Sequence, residues 1–557
     1  MITILGVNCY GHDTSAALLV DGRITQFHEE ERFSRKKHTN LYPFHAVIFC
    51  LNMAGGAKAI DHIAYPFDVS DEMAQRITEK AQELDTMLTV WYGWANELQE
   101  KIRRELRYPH ARFSLAAPAH QIGHHEAHMA STFYSSPFER AAVLSLDGVG
   151  DLTTTMFGIG EGTKLRVLKT LEHPHGIGYL YQNITQHLGF IPSYDEGKTM
   201  GLAPYGRPRL AKEFSQLAQL APEGEVRLNL DYMWHHTTVY EMNPKMAELL
   251  GPPRGRNQPF AEHHEDIAYG AQEFAERALI HHLNYLYEQT KCENLCLSGG
   301  VALNSCANAK VLANTPFRNI FIPPFVNDGG LSIGAAQWVY HNVLGHPRVE
   351  HRNLAYLGFE PGTGEIERAI LEAGLIAEQS TEPWRVAAEM IAAGKIVGWY
   401  QRRSEAGPRA LGNRSILADP RRAEMKDTLN ARVKFREGFR PFAPAILEER
   451  VSEYFEHDRP EPYMLQVKPI RPETRSVIPA VTHVDGTGRL QTVGEHDNPL
   501  FYHLLTELDK LTGVPVVLNT SFNVMGEPIV NKPAEAIACY LKTGMDALVL
   551  GNYILRK

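Results

Sequence analysis

The chain has 557 residues and a formal net charge of -9, with 44% hydrophobic and 22% charged residues. This length is too great for one ordinary hydrophobic core, so two or three domains are expected. The composition is that of a globular protein and excludes a largely disordered chain. The acidic balance argues against a nucleic-acid partner, which normally requires a wide basic field.

The chain carries no obvious targeting or membrane segment. The N-terminus lacks a basic segment followed by an apolar run, and no later stretch is both long and free of charge. We therefore expect no membrane partner and a cytoplasmic location. The six scattered cysteines lack metal-finger spacing and are expected to be reduced thiols.

The first residues, ITILGVNCYGHDTSAALLVDGRITQF, predict a β-meander whose first turn is small and polar. A similar pattern returns at AAVLSLDGVGDLTTTMFGIGEGTKLRVL, where Leu144 to Asp147 correspond to Leu5 to Asn8. Two such copies, separated by a domain's worth of helices, resemble the actin-like ATPase architecture. In that architecture the two turns face each other across a cleft and address phosphates.

Helical patterns lie between the two copies and after the second. Residues Asp71 to Leu106 carry apolar side chains at helical spacing, and Glu262 to Thr290 form another long pattern of this kind. The second pattern leads into NLCLSGGVALNSCANAKV, which predicts a strand, a glycine turn and a small-residue helix.

A polar, turn-rich stretch around His346 to Glu365 predicts the domain boundary. From Trp384 the pattern restarts with a helix through AAEMIAAG, a strand KIVGWY, a buried strand in VPVVLNTSFN and a final helix and strand. We predict an α/β protein with a duplicated actin-like domain over residues 1–355 and a second α/β domain over residues 356–557.

Four residues of the N-terminal half form a candidate metal site. His124 and His128 are four apart in GHHEAH, so on a helix they lie on one face. Asp147 and Asp328 supply carboxylates from loops of the same cleft, and two His with two Asp suit iron, manganese or zinc. His125 competes with its neighbours, and the 26 histidines of the chain make accidental spacing common.

His12 and Asp13 lie in the first meander turn, where an imidazole faces the predicted cleft. His12 is a candidate general base towards a hydroxyl or amine, because its pKa range suits that task. The alternative is a turn histidine that only caps backbone groups.

Two further motifs point to nucleotide or phosphate contacts in the same domain. Lys198 lies between glycines in DEGKTMG, where its ammonium either reaches a ligand or belongs to a structural turn. SGGVALNS, with Gly299, Gly300 and Asn304, is either a nucleotide-facing turn or a tight helix-packing site.

The stretch Arg402 to Pro444 holds 11 basic and five acidic residues in an otherwise acidic chain. Arginines set among glycines, prolines and apolar residues favour a folded anion pocket, because Arg binds phosphate oxygens in a bidentate manner. The alternatives are surface ion pairs and a nucleic-acid groove. The strongest candidates in the C-terminal domain are cations among turn residues and polar groups after a buried strand: Arg409, Lys434, Arg440, Asn519 and Ser521. Arg489, in the turn DGTGRL, is a further candidate cation.

Ten motifs in order resemble the NodU/CmcH family of O-carbamoyltransferases across essentially the whole chain. They are GHDTSAAL, EERFSRKKH, GHHEAH, SLDGVGD, EGKTMGLAPYG, SGGVALN, NDGG, GPRALGNRS, KFREGFRPFAP and LNTSFN. The resemblance implies a C-terminal YrdC-like domain that makes carbamoyl-adenylate from carbamoyl phosphate and ATP. It implies an N-terminal actin-like domain that transfers the carbamoyl group to an acceptor hydroxyl.

The resemblance also implies roles for the candidate residues. His124, His128, Asp147 and Asp328 match the family's metal ligands, with iron as the expected ion, and His12 matches the base. The six C-terminal candidates match the pocket for carbamoyl phosphate and ATP, to which Mg²⁺ is expected to bind as well.

Alternative functions and the acceptor stay open at this point. A tRNA-modifying or hydrogenase-maturation relative is disfavoured by the acidic charge and the lack of zinc-finger cysteines, and a non-catalytic nucleotide-binding scaffold by the presence of every candidate residue. The acceptor is expected to be an antibiotic or other natural product, such as an aminoglycoside, another sugar, a macrocycle or an oligosaccharide. A homodimer is the working expectation.

Overall fold

The structure is a computed structural model that describes residues 1–9, 11–68, 70–83, 113, 115–235 and 242–557. It divides into two compact units. Unit 1 comprises Met1–Glu30 and His38–His351, and unit 2 comprises Glu31–Lys37 and Arg352–Lys557. A short helix, α1 (Glu30–Ser34), contains the first residues of the segment Glu31–Lys37, which belongs to unit 2. Arg32 in this segment donates to the Gly407 carbonyl at 2.7 Å, which ties the segment to the rest of unit 2.

Unit 1 is built on two five-stranded sheets and one small hairpin. The first sheet contains β1 (Thr3–Asn8), β2 (Ser15–Val20), β3 (Arg23–Glu29), β4 (His62–Tyr65) and β5 (Ala119–Gln121). The second contains β6 (Arg140–Gly150), β7 (Thr153–Glu161), β8 (Lys164–Glu172), β11 (Asn294–Ser298) and β12 (Asn319–Phe321), while β9 (Ala218–Ala221) and β10 (Glu225–Leu228) form the hairpin.

The two sheets have the same topology. Their strand orders are β3-β2-β1-β4-β5 and β8-β7-β6-β11-β12. Leu5 at the centre of the first pairs with Leu18 antiparallel and with Ile63 parallel. Leu144 at the centre of the second pairs antiparallel to β7 and parallel to β11. This repeat confirms the predicted duplication and, with it, the actin-like architecture of unit 1.

Unit 1 contains further helices, some of which lie where the sequence predicted helical patterns. They are α2 (Phe44–Ala54), α3 (Asp71–Glu83), α4 (His124–Phe133), α5 (Ile177–His187), α6 (Glu196–Leu202), α7 (Ala211–Leu217), α8 (Pro244–Leu250), α9 (Glu262–Thr290), α10 (Ser305–Asn314) and α11 (Leu331–Trp338). The predicted helix Glu262 to Thr290 is confirmed by α9. Of the predicted helical region Asp71 to Leu106, the part beyond α3 lies outside the described residues.

Unit 2 contains an eight-stranded mixed sheet, and a two-stranded ribbon formed by β17 and β18. Its strands are β13 (Glu378–Gln379), β14 (Val397–Tyr400), β15 (Arg414–Ala418), β16 (Ala443–Leu447), β17 (Val467–Pro469), β18 (Thr487–Arg489), β19 (Gln491–Val493), β20 (Val516–Ser521), β21 (Ala547–Leu550) and β22 (Tyr553–Arg556). The order in the large sheet is β13-β22-β21-β14-β15-β20-β16-β19.

Helices and two apolar layers cover the sheet of unit 2. The helices are α12 (Glu365–Glu372), α13 (Pro383–Ala392), α14 (Met425–Leu429), α15 (Val451–Tyr454), α16 (Pro499–Thr512) and α17 (Pro533–Lys542). Alternate residues of the central strands belong to different layers: Ile416 packs in the layer of Tyr540, and Leu417 in the layer of Trp399 and Leu504. Both faces of the sheet are therefore buried, since successive strand residues point to opposite sides.

The two units together confirm the predicted α/β fold class. Among the residues described, no helix has both the length and the apolar character needed to span a bilayer.

Candidate functional site

The four predicted metal ligands come together in unit 1. His124 and His128 lie one helical turn apart on α4, Asp147 lies on β6, and Asp328 begins the short 3₁₀ turn Asp328–Gly330. One ligand atom from each lies within 4.8 Å of all the others. The His128 Nε2 is 3.1 Å from the Asp147 Oδ2 and 3.4 Å from the Asp328 Oδ1, so both carboxylates face the buried imidazole.

The glycine turn after β11 holds Asp147 in place. The Gly300 N–H donates to the Asp147 Oδ2 at 2.9 Å, and the Gly148 N–H donates to its Oδ1 at 2.7 Å. Gly299 has φ +88°, and a Cβ there would lie 2.0 Å from the Leu146 carbonyl oxygen. Only glycine allows this close approach of the turn to β6. Gly299 and Gly300 therefore serve the carboxylate cluster directly.

Two polar atoms of the cluster have no hydrogen-bond partner among the described residues, which fits a bound cation. The His124 Nε2 and the Asp328 Oδ1 are buried and have no hydrogen-bond partner among the described residues. Burying such groups without a partner is costly, and a divalent ion satisfies both at once. Burial lowers the pKa of His128, but the facing carboxylates of Asp147 and Asp328 outweigh it and raise that pKa to about 9.

His125, the competing ligand, points elsewhere. Its Nδ1 lies 2.8 Å from the Ser145 Oγ and its Nε2 lies 2.9 Å from the Thr153 carbonyl. Both ring nitrogens are therefore engaged, and burial lowers the pKa of this imidazole well below its usual value. The geometry leaves His124 and His128 as the pair that faces the aspartates.

His12 lies beside the carboxylate cluster. Its Nε2 is 3.8 Å from the Asp328 Oδ2, and its Nδ1 is 3.2 Å from the Asp13 Oδ2. Burial lowers the pKa of His12, but Asp328 and Asp13 outweigh this and raise it well above its usual value. An imidazole in this position can accept or donate a proton beside the candidate metal ligands.

Unit 2 brings four arginines together: Arg409, Arg436, Arg440 and Arg489. Burial lowers the pKa of Arg409 well below its usual value, and the charges of Arg489 and Arg440 lower it further. Burial, Arg440 and Arg489 also lower the pKa of Arg436 to about 9. The buried Arg409 Nε has no hydrogen-bond partner among the described residues. Half-buried cations placed close together in this way are typical of an anion-binding site.

Three polar residues of unit 2 lie at the end of β20 or contact it. Lys434 is buried, and its Nζ donates to the Ser521 carbonyl at 2.7 Å, the Ser521 Oγ at 3.1 Å and the Asn523 Oδ1 at 2.7 Å. The Asn519 Nδ2 donates to the Gln491 Oε1 at 2.8 Å, whereas the buried Asn519 Oδ1 has no hydrogen-bond partner in the part of the chain described. Lys434 thus holds the turn after β20, and Asn519 retains a free acceptor.

Both halves of the chain match family models of one enzyme class. Residues 3–337 match the model described as Carbamoyltransferase N-terminus, and residues 388–557 match the model described as Carbamoyltransferase C-terminus. The chain belongs to the carbamoyltransferase family. The protein is therefore an enzyme that transfers carbamoyl groups, and the resemblance inferred from its motifs is confirmed.

The carbamoyltransferase is similar to bacterial proteins over its whole length. It is 39% identical to the uncharacterized protein sll1178 of Synechocystis sp., over 100% of this chain and 97% of that protein. It is 38% identical to the nodulation protein NolNO of Sinorhizobium fredii, over 99% of this chain and 80% of that protein. A solved structure of HypF from T. kodakarensis aligns with a TM-score of 0.32 and 16% identity, covering 62% of this chain and 48% of HypF.

Two predicted ligand contacts of the carbamoyltransferase are engaged with other side chains. The Lys198 Nζ lies 3.0 Å from the Asp195 Oδ2 and 5.5 Å from the centre of the Phe190 ring. The Asn304 side chain caps α10 and exchanges hydrogen bonds of 2.9 and 3.0 Å with Gln272. The structure therefore gives both residues a local structural role, which the sequence left as an alternative for each motif.

Some arginines of the basic stretch are structural. Arg414 is fully buried, donates to the Phe359 and Arg402 carbonyls at 3.1 and 2.9 Å, and stacks 3.7 Å from the centre of the Tyr400 ring. Arg421 forms a 2.8 Å ion pair with Asp419. Spacing alone did not separate these residues from the four clustered arginines, and Arg436 was missed for the same reason.

Glu405 organises the GPRALGNRS loop that carries Arg409. Its Oε1 accepts the N–H groups of Leu411 and Asn413 at 2.8 Å and that of Arg414 at 2.9 Å. A single buried carboxylate oxygen therefore shapes the turn, and its loss leaves three buried donors unsatisfied.

We expect Glu405→Ala to destabilise unit 2 by about 3 kcal/mol. This corresponds to a fall of about 6–12 °C in the melting temperature of that unit, measured by scanning calorimetry. Glu424→Ala, at an exposed position of the same basic stretch, is the control and should leave the transition unchanged. Equal melting temperatures for the two variants would contradict the assignment of this role to Glu405.

Proposed function

We propose that the protein is an ATP-dependent O-carbamoyltransferase that works in two steps. In unit 2, carbamoyl phosphate and water give carbamate and phosphate, and a carbamate oxygen then displaces pyrophosphate from the α-phosphorus of ATP. In unit 1, an acceptor hydroxyl oxygen attacks the carbamoyl carbon of the adenylate, and AMP leaves. The acceptor is a small molecule, such as an antibiotic or another natural product.

The arginine cluster of unit 2 carries this proposal. Carbamoyl phosphate and ATP together bring many phosphate oxygens to one place, and their negative charge opposes attack on the α-phosphorus. Besides burial, the charges of Arg440 and Arg489 lower the pKa of both Arg409 and Arg436 when no anion is bound. A bound phosphate relieves that repulsion, so the cluster favours the anionic ligands and the charge of the transition state. Mg²⁺ bound to ATP supplies the remaining positive charge.

The proposal is tested by measuring the first step in the absence of an acceptor. Incubation with carbamoyl phosphate, ATP and Mg²⁺ is expected to release pyrophosphate and AMP, because the adenylate hydrolyses when nothing accepts its carbamoyl group. Replacing carbamoyl phosphate by inorganic phosphate is the control and should stop the release. Transfer to a hydroxyl acceptor with no ATP consumption would overturn the adenylation step.

Unit 1 supplies the second step in this proposal. The donor set of His124, His128, Asp147 and Asp328 suits a borderline divalent ion, and iron is the ion that the family resemblance implies. A divalent ion held there supplies positive charge that binds phosphate oxygens and lowers the pKa of the neighbouring imidazole. His12 accepts the proton of the acceptor hydroxyl at its Nε2, the nitrogen that faces Asp328.

Loss of one ligand is expected to weaken metal binding. His128→Ala removes the imidazole that both carboxylates face, and we expect at least about a 100-fold loss of affinity for the divalent ion. The measurement is metal content after dialysis, by atomic emission, together with titration of the stripped protein. His125→Gln on the same helix is the control, and its metal content should equal that of the wild type. If His128→Ala keeps its metal, the four residues do not form the site.

Other features of the enzyme stay predictions from its sequence. They are the domain division at residues 355 and 356, a cytoplasmic location and a homodimer. The acceptor can be identified by incubating hydroxylated natural products with carbamoyl phosphate and ATP and searching the products by mass for a carbamate ester.

A further inference from the structure

The carboxylate of Asp13 is held by three side-chain donors. Its Oδ2 accepts from the His12 Nδ1 and from the Asn327 Nδ2, each at 3.2 Å. Its Oδ1 lies 2.7 Å from the His38 Nδ1. The shortest of the three contacts is made by His38, the last residue of the EERFSRKKH motif, to which the two-step scheme assigns no task.

The backbone around this contact is strained and firmly anchored. Asp13 has φ +57° and His38 has φ +51°, in the left-handed region that side chains other than glycine seldom adopt. The Thr14 N–H donates to the Thr39 carbonyl at 3.3 Å, which joins the two segments directly beside the strained residues. Such strain persists only where neighbouring structure enforces it, and it is concentrated at functional sites.

Asn8 joins the turn that contains Asp13 to the turn that begins at Asp328. The Asn8 Nδ2 donates to the backbone carbonyls of both Asp13 and Asp328, at 3.2 and 2.8 Å. Tyr194 lies against the His38 ring, with ring centres 4.9 Å apart in an edge-to-face arrangement. His38 is thereby fixed on one side by an aromatic ring and on the other by the Asp13 carboxylate.

We propose that His38 is a positioning residue for carbamoyl transfer, which orients His12 through Asp13. An ionised carboxylate only accepts hydrogen bonds, so both imidazoles must place a proton on the Nδ1 that faces Asp13. His12 then has its Nε2 lone pair free for the acceptor hydroxyl, which is the tautomer that a general base needs. This inference rests on the proposed role of His12.

The alternative is that His38 only stabilises the turn. Three variants separate the two roles. His38→Ala removes the donor. His38→Asn places an amide N–H where the imidazole Nδ1–H was, whereas the amide of His38→Gln corresponds in position to the Nε2. A positioning role requires the donor at that position. Because Asn also adopts the left-handed conformation of residue 38 more readily than Gln, the melting temperature of each variant is measured beside its rate, and a positioning role predicts a loss of kcat at an unchanged melting temperature.

Steady-state transfer to an identified acceptor is expected to show a kcat lower by about 10–100-fold in His38→Ala and His38→Gln, with the acceptor KM unchanged. His38→Asn should regain most of that loss. Pyrophosphate release without acceptor should be the same in all three variants and in the wild type. In a His12→Ala background, His38→Ala should cause no further loss, because its effect passes through His12.

An unchanged kcat in His38→Ala would overturn the proposal. So would equal activity of the Asn and Gln variants, or a full additional loss in the His12→Ala background. Failure of the two-step scheme itself has a different signature, because the wild type would then transfer without consuming ATP, or His12→Ala would transfer at the wild-type rate.

Discussion

Arg409→Met is expected to abolish pyrophosphate release and, at the same time, to raise the melting temperature of unit 2. Arg409 is a half-buried cation with a buried Nε, and its neighbours Arg440 and Arg489 repel it, so its charge lowers stability unless an anion is bound. We expect a fall of about 10³-fold in pyrophosphate release, as for other arginines that stabilise phosphoryl transfer. A relief of about 1 kcal/mol corresponds to a rise of about 2–4 °C.

The matched control is Arg422→Ala in the same basic stretch. Arg422 is exposed, and its Nε lies 3.6 Å from the Asp419 Oδ2. It is not one of the four clustered arginines. This variant should release pyrophosphate at the wild-type rate. If Arg409→Met lowers the melting temperature by several degrees, the arginine is structural, and a loss of activity would then say nothing about phosphate binding.

His12→Ala is expected to separate the two steps. Pyrophosphate release should stay within about twofold of the wild type, while transfer to the acceptor should fall by about 10²–10⁴-fold, the usual contribution of a general base. The His12 side chain is 37% exposed, so added imidazole should restore part of the transfer rate. Equal loss of both activities would contradict a division of labour between the units.

The architecture of unit 1 was predictable because its signals are local and repeated. Each meander is predicted by a local pattern of strand, polar turn and strand, and the second copy of that pattern supports the prediction made from the first. The long helix α9 was predicted with its observed ends, because its apolar stripe is regular. By contrast, α16 and the last strand β22 were not predicted.

The metal cluster was predictable only in part. The four-residue spacing selected His124 and His128, but only the register of β6 and β7 shows that His125 is taken up by Ser145 and Thr153. That register depends on contacts between residues far apart in the chain, which spacing does not encode. The contact between His38 and Asp13 was not predicted, because the two residues are 25 positions apart in the chain.

The composition of the basic stretch of unit 2 does not distinguish its clustered arginines from its structural ones. Its density of arginine predicted an anion pocket, and the structure does cluster four arginines, but Arg414 in the same stretch is a buried donor to carbonyl oxygens. Both kinds of arginine lie among glycines in the sequence. The contacts tell them apart, because the terminal nitrogens of Arg414 donate to backbone carbonyls, whereas Arg409 has Arg440 and Arg489 as charged neighbours.

Exchange of labelled pyrophosphate into ATP tests the central claim most directly. If carbamoyl-adenylate forms reversibly in unit 2, the wild type and His12→Ala should both catalyse exchange that depends on carbamoyl phosphate and needs no acceptor, and Arg409→Met should not. Exchange that is absent from the wild type while ATP-independent transfer proceeds would contradict the account.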